Sequence, residues 1–145
     1  MISVFIVNGP NLASLGKREP DIYGQVSYDQ LQNQFSTLAH AEKCQFTFFQ
    51  NDSEGSIVKA VQDASLAHEA LIINPGAFSH TSVAVLDAMR AFAGPVVEVH
   101  ISQIHKREPY RHRMLTAQGA DALISGAGVY GYILAFKLIL DLLRR

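Results

Sequence analysis

The chain begins with Met1-Ile2-Ser3-Val4-Phe5-Ile6-Val7-Asn8, a short apolar run that ends in a polar residue. No basic segment precedes the run and no small-residue cleavage site follows it, which favours a buried strand over a secretory signal. Similar runs rich in β-branched and aromatic residues recur along the chain. They predict strands at residues 4–7, 46–49, 71–73, 96–99 and 122–124.

Longer, partly amphipathic stretches separate these strands and predict helices. The first has Ser27 and Gln30 at the spacing of a capping box, which marks its start. Strands that are apolar throughout are typical of parallel sheets covered on both faces. We therefore expect an α/β fold, a flavodoxin-like, doubly wound, five-stranded parallel sheet with helices on both faces, in a single domain over residues 1–145. The predicted helices are residues 28–42, 55–67, 82–92 and 130–143.

The bulk composition excludes several classes of protein. Twelve Lys and Arg residues against thirteen Asp and Glu give a net charge of -1, which argues against nucleic-acid binding. The most apolar stretch, residues 133–143, contains Lys137 and Asp141 and is too short to cross a membrane. The six histidines lack zinc-like spacing, so no metal site is predicted. Cys44 is the only cysteine, which suits a reducing compartment, and we expect a cytoplasmic protein.

Polar residues gather where the predicted strands end. In an open parallel sheet these ends meet at one edge, where ligands bind. The alternative is that Asn and Ser only cap turns and helices, which would explain roughly half of them. The residues are Asn8 and Asn11, then Gln50, Asn51 and Asp52, then Asn74, Ser79 and His80, and finally His100 and Ser102.

Glu98 and His100 lie two positions apart on one predicted strand and therefore share a face. A carboxylate within a buried strand is costly unless it is paired. The functional interpretation is an acid/base histidine whose charge and tautomer are set by Glu98. The alternative is a structural ion pair between Glu98 and a helix residue.

The connection from Asn8 to about Val26 is long for a βα loop, which usually has about two to six residues. Its glycines and prolines would let it fold back over the strand ends, and it carries Arg18 and Tyr23. We interpret it as a lid, and the alternative is a mobile surface excursion.

Two further segments allow more than one interpretation. Residues 105–113 are rich in basic side chains, and they form either a solvated surface or a binding site in which Arg111 supplies forked donors. Residues 126–131, Gly-Ala-Gly-Val-Tyr-Gly, match a dinucleotide fingerprint. Too few residues follow them for the acidic partner strand of a nicotinamide enzyme. We therefore expect close strand-to-helix packing or a helix N-terminus that offers backbone donors.

Several motifs together resemble the type II 3-dehydroquinate dehydratase family. The resemblance covers the whole chain, and long motifs in a fixed order are specific. The matching segments are residues 8–12 (Asn-Gly-Pro-Asn-Leu), 18–20, 22–24, 50–55, 74–82, 86–88, 98–102 and 126–132.

The resemblance implies trans elimination of water from 3-dehydroquinate through an enolate, without a cofactor. Tyr23 resembles the base that takes the proton beside the ketone, and Arg18 its partner on the lid. An ordinary tyrosine has a pKa of about 10, so such a base needs a guanidinium that favours the phenolate. His100, supported by Glu98, resembles the acid, and Asn11 resembles the residue that holds a water on the enolate oxygen.

The same resemblance implies a substrate site and an assembly. Homo-oligomers built from trimers, commonly dodecamers, are implied, and the reaction belongs to shikimate biosynthesis or quinate breakdown. Asp52 and Met114 depart from the family pattern, at the edge of the site. The alternative function is a noncatalytic flavodoxin-like module that binds a phosphate or nucleotide. The implied binding residues are Asn74, His80 and Arg111 for hydroxyls, the backbone of Ile101 and Ser102 for a carboxylate, and Asp87 from a neighbouring subunit.

Overall fold

A computed structural model describes residues 1–145 and contains five strands and five α-helices. The strands are β1 (Ile2–Asn8), β2 (Cys44–Gln50), β3 (Ala70–Asn74), β4 (Val96–His100) and β5 (Ala122–Ser125). The helices are α1 (Pro20–Tyr23), α2 (Tyr28–Glu42), α3 (Glu54–Ala64), α4 (Val83–Ala91) and α5 (Tyr130–Arg144).

All strands are parallel, in the order β2-β1-β3-β4-β5. This is the strand order of flavodoxin-like sheets, so the predicted fold class is confirmed. The register places Asn8 beside both Gln50 and Asn74, and His100 beside Ser125. The polar ends of the strands therefore meet at one edge, as expected.

The sheet separates two apolar cores. One core joins the sheet to α2 and α5 and includes Phe35 and Phe136, whose ring centroids are 6.4 Å apart. The other joins it to α3 and α4 and includes Val61 and Met89. The central strands β1, β3 and β4 are mostly or wholly buried, whereas β2 and β5 are only half-buried because each lies at an edge. The predicted burial on both faces is therefore found in the three inner strands and not in the two edge strands.

The helices follow the prediction closely. The side chain of Ser27 accepts a hydrogen bond from the Gln30 amide at 3.1 Å, and Gln30 Oε1 accepts one from the Ser27 amide at 2.8 Å. This capping box starts α2 where it was predicted. Helix α3 ends three residues earlier than predicted, at Ala64. None of the helices has the length and apolar character needed to span a membrane.

Two loops near the carboxyl edge of the sheet have a backbone geometry that determines their packing. In the β1–α2 connection, Glu19 adopts a left-handed conformation with φ 41° and α1 follows it, a short helix that the sequence pattern did not predict. Between β5 and α5, a side chain at Gly131 would lie 3.2 Å from Val99 Cγ1. The glycine at this position therefore permits close strand-to-helix packing, one of the two roles expected for residues 126–131.

Candidate active site

A pocket opens at the carboxyl edge of the sheet, between the ends of β1, β3 and β4 and the β1–α2 connection. It brings together side chains that lie far apart in sequence. Nine of the predicted site residues line it, together with Arg107, which was not predicted. They are Asn11, Arg18, Tyr23, Asn74, His80, His100, Ile101, Ser102 and Arg111.

Glu98 lies behind the pocket and holds His100. Glu98 is fully buried, His100 is 4% exposed, and His100 Nε2 lies 2.7 Å from Glu98 Oε2. The other carboxylate oxygen accepts a hydrogen bond from Thr116 Oγ1 at 2.5 Å. Both oxygens of Glu98 are therefore hydrogen-bonded, and its only ion-pair partner is His100, not a charged helix residue. This geometry favours the acid/base interpretation, because Glu98 fixes the His100 ring through Nε2 and leaves Nδ1 for a ligand.

A second histidine stacks beside the first. The His80 and His100 ring centroids are 6.4 Å apart, and His80 Nδ1 lies 2.9 Å from the Arg113 carbonyl oxygen. Burial lowers the pKa of His80, and the nearby His100 and Arg111 act in the same direction. His80 therefore favours its neutral form, which can both donate and accept a hydrogen bond.

Tyr23 lies close to two guanidinium groups. Arg107 Nη1 donates a hydrogen bond to Tyr23 Oη at 2.7 Å. The Cζ atoms of Arg18 and Arg107 lie 4.9 Å and 5.2 Å from the centre of the Tyr23 ring. Two positive charges therefore lie close to the side chain, and one of them is bonded directly to the phenolic oxygen.

Arg107 is the pocket residue that sequence reasoning missed. It also donates to Ser102 Oγ at 3.3 Å, so it joins the β1–α2 connection to the segment after β4. The signal was the basic segment 105–113, but the pattern gave no means of choosing between its arginines. Only the fold brings Arg107 to Tyr23, which is 84 residues away in sequence.

Arg111 is oriented by a neighbouring carboxylate. Its Nε donates to Glu108 Oε2 at 2.8 Å, and Arg107 Nε lies 3.8 Å from the same oxygen. The backbone amide of Glu108 and the Arg111 guanidinium lower the pKa of the Glu108 carboxyl. Glu108 therefore stays ionised and pins Arg111 at the pocket wall. Arg111 lines the pocket, and its role as a forked donor to a ligand stays a prediction.

Asn11 reaches the pocket from a left-handed backbone conformation, with φ 69°. Its backbone amide donates a hydrogen bond to Asp52 Oδ1 at 2.9 Å, and the same oxygen accepts one from Gln50 Nε2 at 3.1 Å. Asp52, one of the two positions that depart from the family pattern, thus links the segment after β2 to the backbone of Asn11.

The segment after β4 offers backbone donors. The amides of Ile101 and Ser102 donate no hydrogen bond within the chain, and both residues line the pocket. Adjacent free amides of this kind suit an anionic group such as a carboxylate. Asp87, in contrast, lies exposed on α4 and outside this pocket. Its contribution to the site of a neighbouring subunit stays a prediction.

The fold and the site together define a doubly wound α/β protein with an acid/base pocket at its carboxyl edge. The model of the family described as Dehydroquinase class II matches residues 2–140, and the chain belongs to that family. The family resemblance predicted from sequence is therefore confirmed, and the noncatalytic binding module is not favoured.

Relatives and solved structures agree. A 3-dehydroquinate dehydratase from Clostridium botulinum is 45% identical over all of this chain and 99% of its own length. One from Cereibacter sphaeroides is 42% identical over 97% of this chain and 95% of its own. The crystal structure of a type II dehydroquinase from Butyrivibrio crossotus superposes with a TM-score of 0.93 at 34% identity, and covers 96% of this chain and 97% of that one.

Proposed function

We propose that this chain is a hydro-lyase that converts 3-dehydroquinate into 3-dehydroshikimate. The observation that carries the proposal is the pairing of Tyr23, bonded to Arg107, with His100, bonded to Glu98, at one pocket. A base and an acid held separately are what an elimination of water requires. The names of the relatives support the choice of substrate.

The reaction proceeds in two proton transfers. The Tyr23 phenolate removes a proton from the carbon beside the ketone, and the electron pair moves onto the ketone oxygen to form an enolate. Asn11 holds a water that donates a hydrogen bond to this oxygen. When the enolate collapses, the carbon–oxygen bond to the hydroxyl on the opposite face breaks, and His100 donates the proton with which that hydroxyl leaves as water. Glu98 stabilises the protonated His100 before this step.

Substrate binding uses the rest of the pocket. The free amides of Ile101 and Ser102 bind the carboxylate, and the side chains of Asn74, His80 and Arg111 bind hydroxyl groups. Arg18 closes over the site with Tyr23 and favours the phenolate. The chain's own side chains and backbone thus supply each interaction that the proposed reaction needs.

A direct assay tests the proposal. Purified protein is incubated with 3-dehydroquinate in the presence of EDTA and without nucleotide, and the absorbance of the conjugated enone product is followed. We expect turnover by the native chain and a loss of roughly a hundredfold or more with His100→Ala. Absence of any absorbance change with the correctly folded native protein would exclude the dehydratase function.

The proposal extends to assembly and cellular role. We infer homotrimers, assembled into dodecamers, in which Asp87 of one subunit completes the site of the next. Light scattering of the purified chain measures the assembly, and mixing Asp87→Ala chains with Tyr23→Phe chains tests the shared site. If the site is shared, mixed trimers regain activity that neither variant has alone. We also propose a cytoplasmic location and a role in shikimate biosynthesis or quinate breakdown, both of which use this step.

A further inference from the structure

A buried hydrogen-bond network lies directly beneath the pocket. Tyr132 of α5 is fully buried, and its hydroxyl contacts Asn74 at the end of β3 and Asn8 at the end of β1. Asn74 Nδ2 donates to Tyr132 Oη at 3.0 Å, and Tyr132 Oη donates to Asn8 Oδ1 at 2.6 Å. Asn8 Nδ2 lies 3.5 Å from Tyr28 Oη, a much weaker contact at the far end.

A single backbone amide fixes the direction of every hydrogen bond in this network. The Gly76 amide can only donate, and it lies 3.1 Å from Asn74 Oδ1. The amide nitrogen of Asn74 must therefore face Tyr132, whose oxygen accepts there. The one hydroxyl proton of Tyr132 is then available for Asn8, whose carbonyl oxygen must face it.

The backbone around Asn74 is equally constrained. The Gly9 amide donates to the Asn74 carbonyl oxygen at 2.8 Å. A side chain on Gly9 would lie 2.4 Å from the Pro75 carbonyl oxygen, so the two loops pack backbone against backbone. Asn74 therefore has its main chain fixed by one contact and both ends of its side-chain amide fixed by two others.

We infer that Tyr132 is a positioning residue that holds Asn74 as a hydrogen-bond donor to the substrate. The carbonyl oxygen of the Asn74 side chain is occupied by Gly76, and one of its two N–H groups is occupied by Tyr132. The second N–H is left to the pocket that Asn74 lines. Asn74 thus recognises an acceptor oxygen on the ligand, and under the proposed function this is a hydroxyl oxygen of 3-dehydroquinate.

Removal of the Tyr132 hydroxyl should affect binding more than chemistry. Tyr132→Phe leaves the Nδ2 group of Asn74 and the Oδ1 atom of Asn8 without their partner in a buried site, so Asn74 loses its fixed orientation. We expect KM to rise about tenfold, which is the effect of one neutral hydrogen bond of roughly 1.4 kcal/mol, with kcat changed less. Tyr28→Phe is the matched control, because Tyr28 has a phenolic hydroxyl in the same network but does not contact Asn74.

The experiment compares the native chain, Tyr132→Phe and Tyr28→Phe by steady-state kinetics and by crystal structures. Support requires a raised KM and a displaced Asn74 amide in Tyr132→Phe, with native values in Tyr28→Phe. If Tyr132→Phe lowers the melting temperature but leaves KM and the Asn74 side chain unchanged, the network is only structural and the inference is wrong.

Asn74→Asp tests the polarity independently and still applies if Tyr132→Phe does not fold. It keeps the shape and the acceptor for Gly76 but removes the donor, so a native KM would overturn the inference. A native chain without dehydratase activity would instead contradict the proposed function. In that case the position of the Asn74 side chain in the Tyr132→Phe crystal structure, compared with the native one, still decides whether Tyr132 orients it.

Discussion

Among the individual residues of the site, some contacts can be inferred from the sequence and others cannot. Glu98 and His100 could be paired from sequence because alternate residues of a strand share a face, and they lie 2.7 Å apart. The partner of Tyr23 could not be identified in this way. Arg18 was expected from its closeness in sequence, and it does lie over the ring, but Arg107 makes the hydrogen bond to the oxygen. Contacts within one strand follow from periodicity, whereas contacts between loops depend on the finished fold.

The hydroxyl of Tyr23 can be tested by removing it alone. We expect Tyr23→Phe to lower kcat by roughly a hundredfold to ten-thousandfold, because the reaction loses its base. Circular dichroism should show a native fold, since Tyr23 is only half-buried. Tyr110→Phe removes the hydroxyl of an exposed tyrosine and serves as the control. A kcat near the native value in Tyr23→Phe would rule out the tyrosine base.

Asp52 can be tested as the residue that fixes the backbone of Asn11. Asp52→Ala removes the acceptor for the Asn11 amide, and we expect kcat to fall several-fold because Asn11 loses support for its left-handed conformation. Asp52→Asn keeps an acceptor oxygen in the same place and should retain most of the activity. Equal losses in the two variants would show that the charge of Asp52 matters and not its hydrogen bond to Asn11.

At the element scale, the β1–α2 connection is the part of the fold that sequence describes least well. The five strands and the four long helices follow from hydrophobic periodicity and from the capping box at Ser27, which reflect local physics. The short helix α1 has four residues and no buried side chain, so it leaves no periodic signal. Its position depends on the contact of Tyr23 with Arg107, in the segment after β4.

Gly16 provides a test of this connection as a unit. It has φ +86°, and a side chain there would lie 2.8 Å from the Gln25 carbonyl oxygen and 3.0 Å from the Ser27 backbone. We expect Gly16→Ala to shift the connection and to lower kcat/KM at least tenfold. Gly128→Ala is the matched control, because Gly128 also has positive φ, at +63°, but has open space around it.

Each of the two alanine variants carries a backbone strain of about 1 kcal/mol from its positive φ. Gly16→Ala adds the clash with the backbone of Gln25 and Ser27, so its melting temperature should fall further. Only Gly16→Ala should lose activity beyond this loss of stability. If the two variants lose activity equally, the packing of the connection at Gly16 does not position the site.

At the scale of the whole molecule, the network around Tyr132 connects the interior to the active site. Tyr132 belongs to the apolar core between the sheet, α2 and α5, and its hydroxyl lies between the ends of β1 and β3. The core that stabilises the fold therefore also presents Asn74 to the pocket. The flavodoxin-like sheet in which Asn8 and Asn74 end side by side was predicted, but the network was not, because its hydrogen bonds to Tyr132 span 58 and 124 residues.

The burial of Tyr132 predicts that the folded chain becomes less stable at alkaline pH. Burial raises the pKa of Tyr132, whereas a tyrosine in the unfolded chain titrates at about 10. Above that pH the unfolded chain releases a proton that the folded chain retains, so stability is fully present below pH about 10 and is lost as the pH rises further. The loss from this one group is at most about 1.4 kcal/mol per pH unit.

Urea unfolding between pH 8 and 11 measures this effect. Tyr132→Phe should be less stable than the native chain at pH 8, where its buried partners lack their hydrogen bonds, but its stability should fall less steeply above pH 10. Tyr28, whose pKa is also raised by burial, accounts for a second part of the slope. The exposed Tyr110 serves as the control, and Tyr110→Phe should leave the slope unchanged. If the stability of Tyr132→Phe falls as steeply above pH 10 as that of the native chain, the Tyr132 hydroxyl does not govern alkaline unfolding and other groups cause the loss.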